Sequence, residues 1–260
     1  MLTRSLAGGE VLRAESLTVR YRNTRSPQVD DITFDVGKGV TALIGRNGAG
    51  KSTLLRTIVG LQPVSSGSLR VFKNELNGSR ISLETLGHIG YLPQDFGFVN
   101  SFTTKEFVAY GAWLKKVPSA RSDRAVADAL DFAGLSSQAS TKMRKLSGGM
   151  RRRAGIAQAI VHQPELLILD EPTTGLDPEQ RVRFRELVRE LSENRTVLMS
   201  SHLIEDVRSL ATRVLVLDRG QIQFDGSPAQ LESIGKNGTM GDSLLERGYI
   251  SMIHQESASR

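Results

Sequence analysis

Short apolar runs alternate with amphipathic stretches along this chain and predict where its strands lie. Residues 166–169 and 196–200 are almost entirely apolar, which is typical of parallel strands that are covered on both faces. Residues 40–44 predict a further short buried strand. Between about Val11 and Gly39 the chain has β-like runs that are typical of an antiparallel lobe. The β-like runs in the first part of the chain are residues 17–21, 31–36 and 67–72.

Apolar residues at helical spacing predict helices between these strands. Residues 52–59 form an apolar-faced helix directly after the strand at 40–44. A longer helical stretch is predicted from Thr103 to about Gly134. Thr103 and Glu106 have the spacing of a capping box at its start, and Gly134 is a typical residue just beyond a helix end.

The second half of the chain alternates strand and helix. Residues 213–217 and 221–224, joined by a short turn at 218–220, predict a hairpin. A short helix is predicted at residues 243–254 near the C-terminus. Together these elements predict an α/β core with a mostly helical insertion.

The turn between the strand at 40–44 and its following helix has the pattern of a phosphate-binding loop. The pattern is Gly, four free positions, then Gly-Lys-Ser/Thr. Glycines let successive N–H groups point at one anion, and the helix start aims its positive dipole end at the same place. Lys51 adds a positive charge for the β- and γ-phosphates, and the Ser52 hydroxyl is placed to ligate Mg²⁺. The residues of this predicted nucleoside triphosphate site are Gly45, Arg46, Asn47, Gly48, Ala49, Gly50, Lys51, Ser52 and Thr53.

A pair of acidic residues follows the apolar run at 166–169. A buried strand that ends in a carboxylate delivers Asp170 to the edge of the sheet, where it can hold Mg²⁺ through water. The next residue, Glu171, is expected where a water molecule attacks the γ-phosphate. The two carboxylates are therefore predicted to have different roles.

Composition limits the number of domains and the chemistry that this chain can have. A length of 260 residues suits one large domain or one domain with an inserted subdomain, and a 39% hydrophobic content suffices for a substantial core. The absence of cysteine excludes disulfides, thiolate metal sites and thiol nucleophiles. We expect no signal peptide in the first residues and no apolar run near the about 18 residues that span a bilayer, hence a chain that is soluble by itself.

The net charge of +6 raises the question of a nucleic-acid partner. The densest basic cluster is residues 151–153, and further arginines lie between Arg181 and Arg195. Aromatic content is only 5%, and no aromatic-rich strand accompanies these arginines, so the platforms for single-strand stacking are missing. A solvated helix face, or nearness to anionic lipid headgroups, accounts for the charge, and no specific nucleic-acid partner is expected.

The segment Leu146-Ser147-Gly148-Gly149-Met150, with the helical residues 155–160 after it, resembles the signature sequence of ABC-type ATPases. The resemblance runs from about Val11 to Leu231, and other positions match the family in order. They are Tyr21 for the adenine-stacking aromatic, Gln94 for the glutamine of the coupling loop, residues 175–177 with Asp177 for the D-loop, and His202 for the switch histidine.

This resemblance implies a fold and its domain limits. The expected fold is α/β: a P-loop NTPase core with an antiparallel β lobe and an inserted helical subdomain at about residues 95–160. The cassette is expected over residues 10–234, and residues 235–260 form a short C-terminal tail. The implied cofactors are ATP and Mg²⁺.

The resemblance also implies how the residues act. In the family two subunits pack head to tail, so that each ATP lies between one phosphate loop and the other subunit's signature. Ser147, Gly148, Gly149 and Asp177 are then expected at the nucleotide, with Ser147 and Gly149 on the γ-phosphate. Glu171 would act as general base, His202 would steady the γ-phosphate, and Gln94 would sense the Mg²⁺ that Ser52 and Asp170 position.

The implied partners are a second copy of the ATPase and a separate transmembrane permease subunit. A cytoplasmic helix of the permease would dock near Gln94 and residues 96–107, where aromatic residues are frequent. The chain is therefore expected at the cytoplasmic face of the cell membrane as a peripheral protein. The transported molecule touches the permease, so this sequence does not identify it.

Finer details resemble the ATPases of ABC-2-type exporters. After the signature the chain has Met150 and three arginines, where many importers carry a Gln-rich run. Residues 90–95 and 243–249 strengthen this resemblance. The alternative is a soluble ABC ATPase of a non-transport system, such as cofactor assembly or a nucleic-acid-associated machine. Only one cassette is present and no sustained heptad occurs, which disfavours ribosome-acting and DNA-end relatives.

Overall fold

The computed structural model describes residues 11–22, 24, 26–75, 81–236 and 240–254 of the chain. They form two compact units: unit 1 holds the described residues up to Ile81 and from Thr196 onward, and unit 2 is Ser82–Arg195. The N-terminal segment, where no signal peptide is expected, and parts of the C-terminal tail lie outside the described residues. In the part that is described, no helix has both the length and the apolar character needed to cross a bilayer.

Strands and helices alternate along most of the chain. The strands are β1 (Leu12–Val19), β2 (Val29–Val36), β3 (Gly39–Ile44), β4 (Ser66–Val71), β5 (Asn74–Glu75), β6 (Ile89–Leu92), β7 (Leu166–Leu169), β8 (Thr196–Ser201), β9 (Arg213–Asp218) and β10 (Gln221–Gly226). The helices are α1 (Lys51–Ile58), α2 (Leu83–Gly87), α3 (Thr104–Leu114), α4 (Ser119–Phe132), α5 (Gly148–Ile160), α6 (Pro178–Asn194), α7 (Ile204–Leu210), α8 (Pro228–Gly235) and α9 (Leu244–His254).

The antiparallel lobe predicted near the N-terminus is confirmed in unit 1. Its sheet has the order β2-β1-β4-β5, and β1 pairs antiparallel with both β2 and β4. Leu12 lies opposite Val36 on one side and Val71 on the other, and all three side chains are buried. The first strand begins earlier than predicted and ends at Val19, so Tyr21 lies just beyond the strand and not within it.

Unit 1 also contains the parallel strands that the apolar runs predicted. Strand β3 pairs parallel with β8 on one side and with β9 on the other. Ile44, at the end of β3, lies opposite Ser201 of β8 and Val216 of β9. Because the strands are parallel, the carboxyl ends of β3 and β8 lie at the same end of the sheet. The predicted hairpin is confirmed as β9 and β10, which pair antiparallel.

The C-terminal helix belongs to unit 1. The helix predicted at residues 243–254 is confirmed as α9, and it packs on α8 with smaller contacts to α7, β9 and β10. Leu245 and Ile253 of α9 are buried, so its apolar face contributes to the packing of this unit.

Unit 2 contains two strands, β6 and β7, which pair in parallel. Its helices α3, α4 and α5 pack on one another. The capping box at the start of α3 is confirmed: Thr103 Oγ1 accepts from the Glu106 N–H at 3.2 Å, and a Glu106 carboxylate oxygen accepts from the Thr103 N–H at 2.7 Å. The predicted single helical stretch is two helices, α3 and α4. Lys116 has a positive φ of 56°, and Pro118 is the N-cap of α4. Proline disfavours a helical conformation in the residue before it, here Val117, which separates the two helices.

Candidate functional site

The predicted phosphate loop connects β3 to α1 in unit 1. Gly50, the N-cap of α1, has φ 109° and ψ 0°, a left-handed conformation that favours glycine. A Cβ atom at Gly50 would also collide with the carbonyl oxygen of Gln28. The tight loop therefore depends on glycine here, and it presents the N-terminus of α1 to whatever the loop encloses.

Lys51 carries its positive charge back over this loop. Its side chain is buried, and the Nζ donates to the carbonyl oxygen of Gly45 at 2.7 Å and to that of Arg46 at 3.2 Å. These bonds hold the ammonium group at the start of the loop. The geometry thus combines a cation with a helix N-terminus, the two features that recognise a polyphosphate.

Tyr21 lies beside the same helix. Its hydroxyl oxygen is 3.2 Å from Oγ1 of Thr53 on α1. The Tyr21 N–H donates to Oε1 of Gln28 at 3.0 Å, which fixes the backbone just after β1. The ring is half-buried. Unit 1 therefore brings together Tyr21 and the end of the phosphate loop, although they are 32 residues apart in sequence.

We expect Tyr21→Ala to weaken ATP binding about tenfold or more, because stacking of a base on an aromatic ring contributes about 1–3 kcal/mol. Tyr21→Phe keeps the ring and removes only the hydroxyl contact with Thr53, so it is expected to bind ATP nearly as the parent does. Fluorescence titration with an ATP analogue measures both variants. Equal affinities of Tyr21→Ala and the parent would remove Tyr21 from the nucleotide site.

His202 reaches the same edge of unit 1 by a different strand. It follows Ser201, which is paired with Ile44 at the end of β3. The phosphate loop and His202 therefore leave adjacent parallel strands at matching positions. The His202 side chain is exposed.

Unit 2 places Gln94, Asp170 and Glu171 together. Strands β6 and β7 are parallel with Leu92 opposite Leu169, and the Asp170 N–H donates to the Leu92 carbonyl at 2.8 Å. The segments that follow these two strands therefore begin at the same end of the sheet. One segment carries Gln94, and the other carries Asp170 and Glu171. Asp170 and Glu171 are buried, whereas Gln94 is exposed.

The backbone of Glu171 has an uncommon conformation. Its φ is 46°, which costs energy for a residue other than glycine and is often found at functional sites. Thr174 supports it from the next turn, since its N–H donates to the Glu171 carbonyl at 3.3 Å and its hydroxyl lies 3.5 Å from a Glu171 carboxylate oxygen. Glu171 is therefore held by its neighbours in a defined position.

The signature segment forms the start of α5 in unit 2. Ser147 is the N-cap, and its side chain accepts from the Met150 N–H at 3.2 Å. Asp177 caps α6 in the same way, by accepting from the Gln180 N–H at 2.8 Å. Ser147, Gly149, Asp177 and Gln180 line a common recess of about 180 Å³. Unit 2 thus brings the signature and the D-loop residue together at two helix N-termini.

The arginine cluster at 151–153 is not a solvated face, and the expectation for it was wrong. Arg152 is only 7% exposed. Arg153 donates to the carbonyl oxygens of Ala133 and Gly134 at 3.0 Å each, and the Arg151 guanidinium carbon lies 5.8 Å from the Phe98 ring centroid. Helical spacing was the missed signal, since Arg152 lies on the face that also carries Ile156 and Ala159, both buried.

The sequence predicts a bound metal ion, Mg²⁺. Within the described residues, no group of three or more His, Cys, Asp or Glu side chains is arranged to hold one. Ser52 and Asp170, the predicted ligands, supply a hydroxyl and a carboxylate. Such oxygen donors fit Mg²⁺, which usually keeps several waters and is shared with phosphates.

The α/β fold and the phosphate loop define a P-loop nucleoside triphosphatase. The sequence profile of the ABC transporter family matches residues 29–174, and the chain belongs to this family of ATP-binding proteins. It is accordingly an ATPase of the ABC type, and the fold predicted from the sequence is confirmed.

Several characterised and uncharacterised proteins are similar to this chain. It is 33% identical over 259 residues to the uncharacterized ABC transporter ATP-binding protein YxlF of Bacillus subtilis, covering 96% of this chain and 85% of YxlF. It is 36% identical over 240 residues to the phosphonates import ATP-binding protein PhnC of Nitratidesulfovibrio vulgaris, covering 86% and 89% of the two chains. Nod factor export ATP-binding protein I of Rhizobium meliloti is 36% identical over 225 residues, covering 85% and 66%.

Solved structures agree with the family. The structure of an ATP-binding subunit of an ABC transporter matches with a TM-score of 0.78 and 26% identity, covering 93% of this chain and 99% of that chain. The names of the relatives include both import and export, so similarity alone does not assign a direction of transport.

Proposed function

We propose that this chain is the subunit that hydrolyses ATP to drive a separate membrane subunit, and that the transport is export. The observation that carries the ATPase role is the placement of the motif residues at strand ends, and the export direction rests on the resemblance of residues 90–95, 150–153 and 243–249 to exporter ATPases. In unit 1 the phosphate loop and His202 follow paired parallel strands. In unit 2 Gln94 and the acidic pair Asp170 and Glu171 do the same. In each unit the motif residues therefore follow the carboxyl ends of paired parallel strands, where α/β proteins place their ligand-binding groups.

Each of these residues has a proposed role at the nucleotide. Lys51 and the loop N–H groups hold the phosphates, and the Tyr21 ring supports the base. Ser52 and Asp170 hold Mg²⁺, which neutralises charge on the phosphates during hydrolysis. Glu171 accepts a proton from the attacking water. Gln94 senses the Mg²⁺, and His202 steadies the γ-phosphate.

The signature segment is proposed to act on the ATP of a second copy of the chain. Ser147 and Gly148 are exposed at the N-terminus of α5, and Asp177 is exposed at that of α6. A helix N-terminus with exposed N–H groups favours an anion. Head-to-tail packing of two copies gives these residues a γ-phosphate as their ligand, and hydrolysis then lets the copies separate.

The membrane subunit is proposed to dock on an aromatic surface of unit 2 formed by Phe102, Tyr110 and Trp113. The Tyr110 and Trp113 rings stack with centroids 5.8 Å apart, and they are 47% and 70% exposed. Phe96, in contrast, packs on the buried Phe107. The proposed docking surface therefore lies further along α3 than the region expected from the sequence, which was Gln94 and residues 96–107. Exposed rings of this size suit a helix of a protein partner.

The double change Tyr110→Ser/Trp113→Ser is expected to reduce the membrane-bound fraction of the chain severalfold and to leave ATP binding unchanged, because a few aromatic anchors carry much of an interface's energy. Sedimentation of membranes from cells that make the tagged chain measures this fraction. Leu83→Ser is the matched control, since Leu83 is 73% exposed in unit 2 and outside the aromatic surface.

Two results would count against this proposal. If the double variant stays on the membrane as the parent does, the docking surface lies elsewhere. If the parent chain itself is never recovered with membranes, the chain serves a soluble system such as cofactor assembly and not a transporter.

A further inference from the structure

A buried arginine connects three parts of unit 2. Arg152 lies on α5, one turn after the signature residues, and is 7% exposed. Its guanidinium donates to the main-chain carbonyls of Pro93 at 3.1 Å and Gln94 at 2.7 Å, which follow β6. It also donates to the carbonyls of residues that follow β7. These are Asp170 at 2.9 Å, Glu171 at 2.6 Å and Pro172 at 2.8 Å.

These bonds use the whole hydrogen-bonding capacity of the side chain. A guanidinium has five N–H donors in a rigid plane, one on Nε and two on each Nη. In Arg152 the Nε makes one bond, Nη1 makes two and Nη2 makes two. Lysine has three donors on one atom and cannot span both loops in the same way.

The charge of Arg152 is balanced by its surroundings. Burial lowers the pKa of Arg152, and the nearby carboxylates of Asp170, Asp95 and Glu171 raise it. The guanidinium remains protonated, as arginine does in proteins. The side chain therefore keeps all of its donors.

One of the carbonyls that Arg152 bonds belongs to Glu171, whose backbone conformation needs support. Glu171 has the uncommon φ of 46°, and such a conformation persists only where the surroundings stabilise it. The bond from Arg152 Nη2 to the Glu171 carbonyl is shorter than the 3.3 Å bond from the Thr174 N–H. Loss of the guanidinium would remove the shorter of these two bonds to the Glu171 carbonyl.

We propose that Arg152 is a positioning residue for ATP hydrolysis, which fixes the main chain of Glu171 and of Gln94 to the signature helix. Its five N–H donors all bond to main-chain carbonyls, so it acts through the residues that it holds. A displacement of α5 is then transmitted to the proposed base and to Gln94 together. This inference rests on the proposed roles of Glu171 and Gln94.

The test compares Arg152→Met and Arg152→Lys with the parent in ATP affinity, single-turnover hydrolysis and thermal unfolding. A shift of about 1 Å in a catalytic group lowers the rate on the order of 100-fold. We therefore expect Arg152→Met to hydrolyse about 100-fold more slowly with an ATP affinity close to the parent's. Arg152→Lys retains part of the bonding and should fall between them, and it decides the result if Arg152→Met does not fold.

Lys115→Met is the matched control. Lys115, just after α3, also donates to two main-chain carbonyls of unit 2, but they belong to Leu86 at 2.6 Å and Ile89 at 2.8 Å. Its loss is expected to lower the unfolding temperature with little change in the hydrolysis rate per folded molecule. An Arg152 variant that hydrolyses ATP at the parental rate, or that loses rate and affinity equally, would overturn the proposal.

A double-mutant comparison separates this inference from the proposed function. If Arg152 acts through Glu171, then Arg152→Met should slow the residual hydrolysis of Glu171→Gln far less than it slows the parent. Full additivity of the two losses contradicts the positioning role and leaves Glu171 as the base. A parental rate in Glu171→Gln alone overturns the base assignment and, with it, the inference for Arg152.

Discussion

A chain with alanine in place of Lys51 is expected to lose ATP binding by at least about 100-fold, and hydrolysis with it. The Lys51 ammonium is buried over the phosphate loop and bonded to the Gly45 carbonyl. Hydrogen bonds to charged groups contribute about 1.5–3 kcal/mol each, and a tenfold change in affinity corresponds to about 1.4 kcal/mol. Loss of one ammonium that contacts two phosphates therefore accounts for a change of this size.

Calorimetric titration with ATP and Mg²⁺ measures this loss. Lys38→Ala is the control, because Lys38 is an exposed lysine of the same unit just before β3, and its affinity should match the parent's. If Lys51→Ala binds ATP as tightly as Lys38→Ala, the loop does not hold the phosphates. In living cells the Lys51→Ala chain also tests direction: a small molecule that accumulates inside supports export, and one that is depleted inside indicates import.

Much of this site was predictable because its signals are local in sequence. The phosphate loop needs glycines, a lysine and a hydroxyl within nine consecutive residues, and the apolar run before it predicts the strand that delivers it. The apolar runs at 40–44 and 196–200 also predict the buried strands β3 and β8, which the structure pairs in parallel. These features depend on neighbouring residues and on strand packing, both of which a single sequence records.

The parts that were missed depend on contacts between distant residues. The five carbonyls bonded to Arg152 come from segments 18 to 59 residues away in the chain, so helical spacing could indicate that Arg152 is buried but not which groups it bonds. Similarly, an aromatic run does not reveal that Phe96 packs on Phe107 while Trp113 stays exposed. The split between α3 and α4 was foreseeable, since Pro118 disfavours a continuous helix.

Glu171→Gln is expected to abolish most hydrolysis and preserve ATP affinity. Glutamine keeps the size of the side chain and cannot accept a proton from water, and a general base contributes about 10²–10⁴-fold to a rate. Phosphate binding is unaffected, since it depends on the loop N–H groups, Lys51 and Mg²⁺. Single-turnover assays with labelled ATP measure the rate, and equilibrium titration measures the affinity. Glu193→Gln, at an exposed glutamate of α6, should retain the parental rate.

The same variant tests the head-to-tail pair. If each ATP is held between the phosphate loop of one copy and Ser147 of the other, a pair that cannot hydrolyse its ATP should accumulate as a dimer on size exclusion. Lys51→Ala, which does not retain ATP, should remain a monomer under the same conditions. Loss of hydrolysis without a dimer at saturating ATP would keep Glu171 as the base and contradict the pair for the isolated subunit. If Glu171→Gln instead hydrolyses ATP at the parental rate, another group activates the water. A carboxylate that has no catalytic role can be replaced by an amide without a loss of rate.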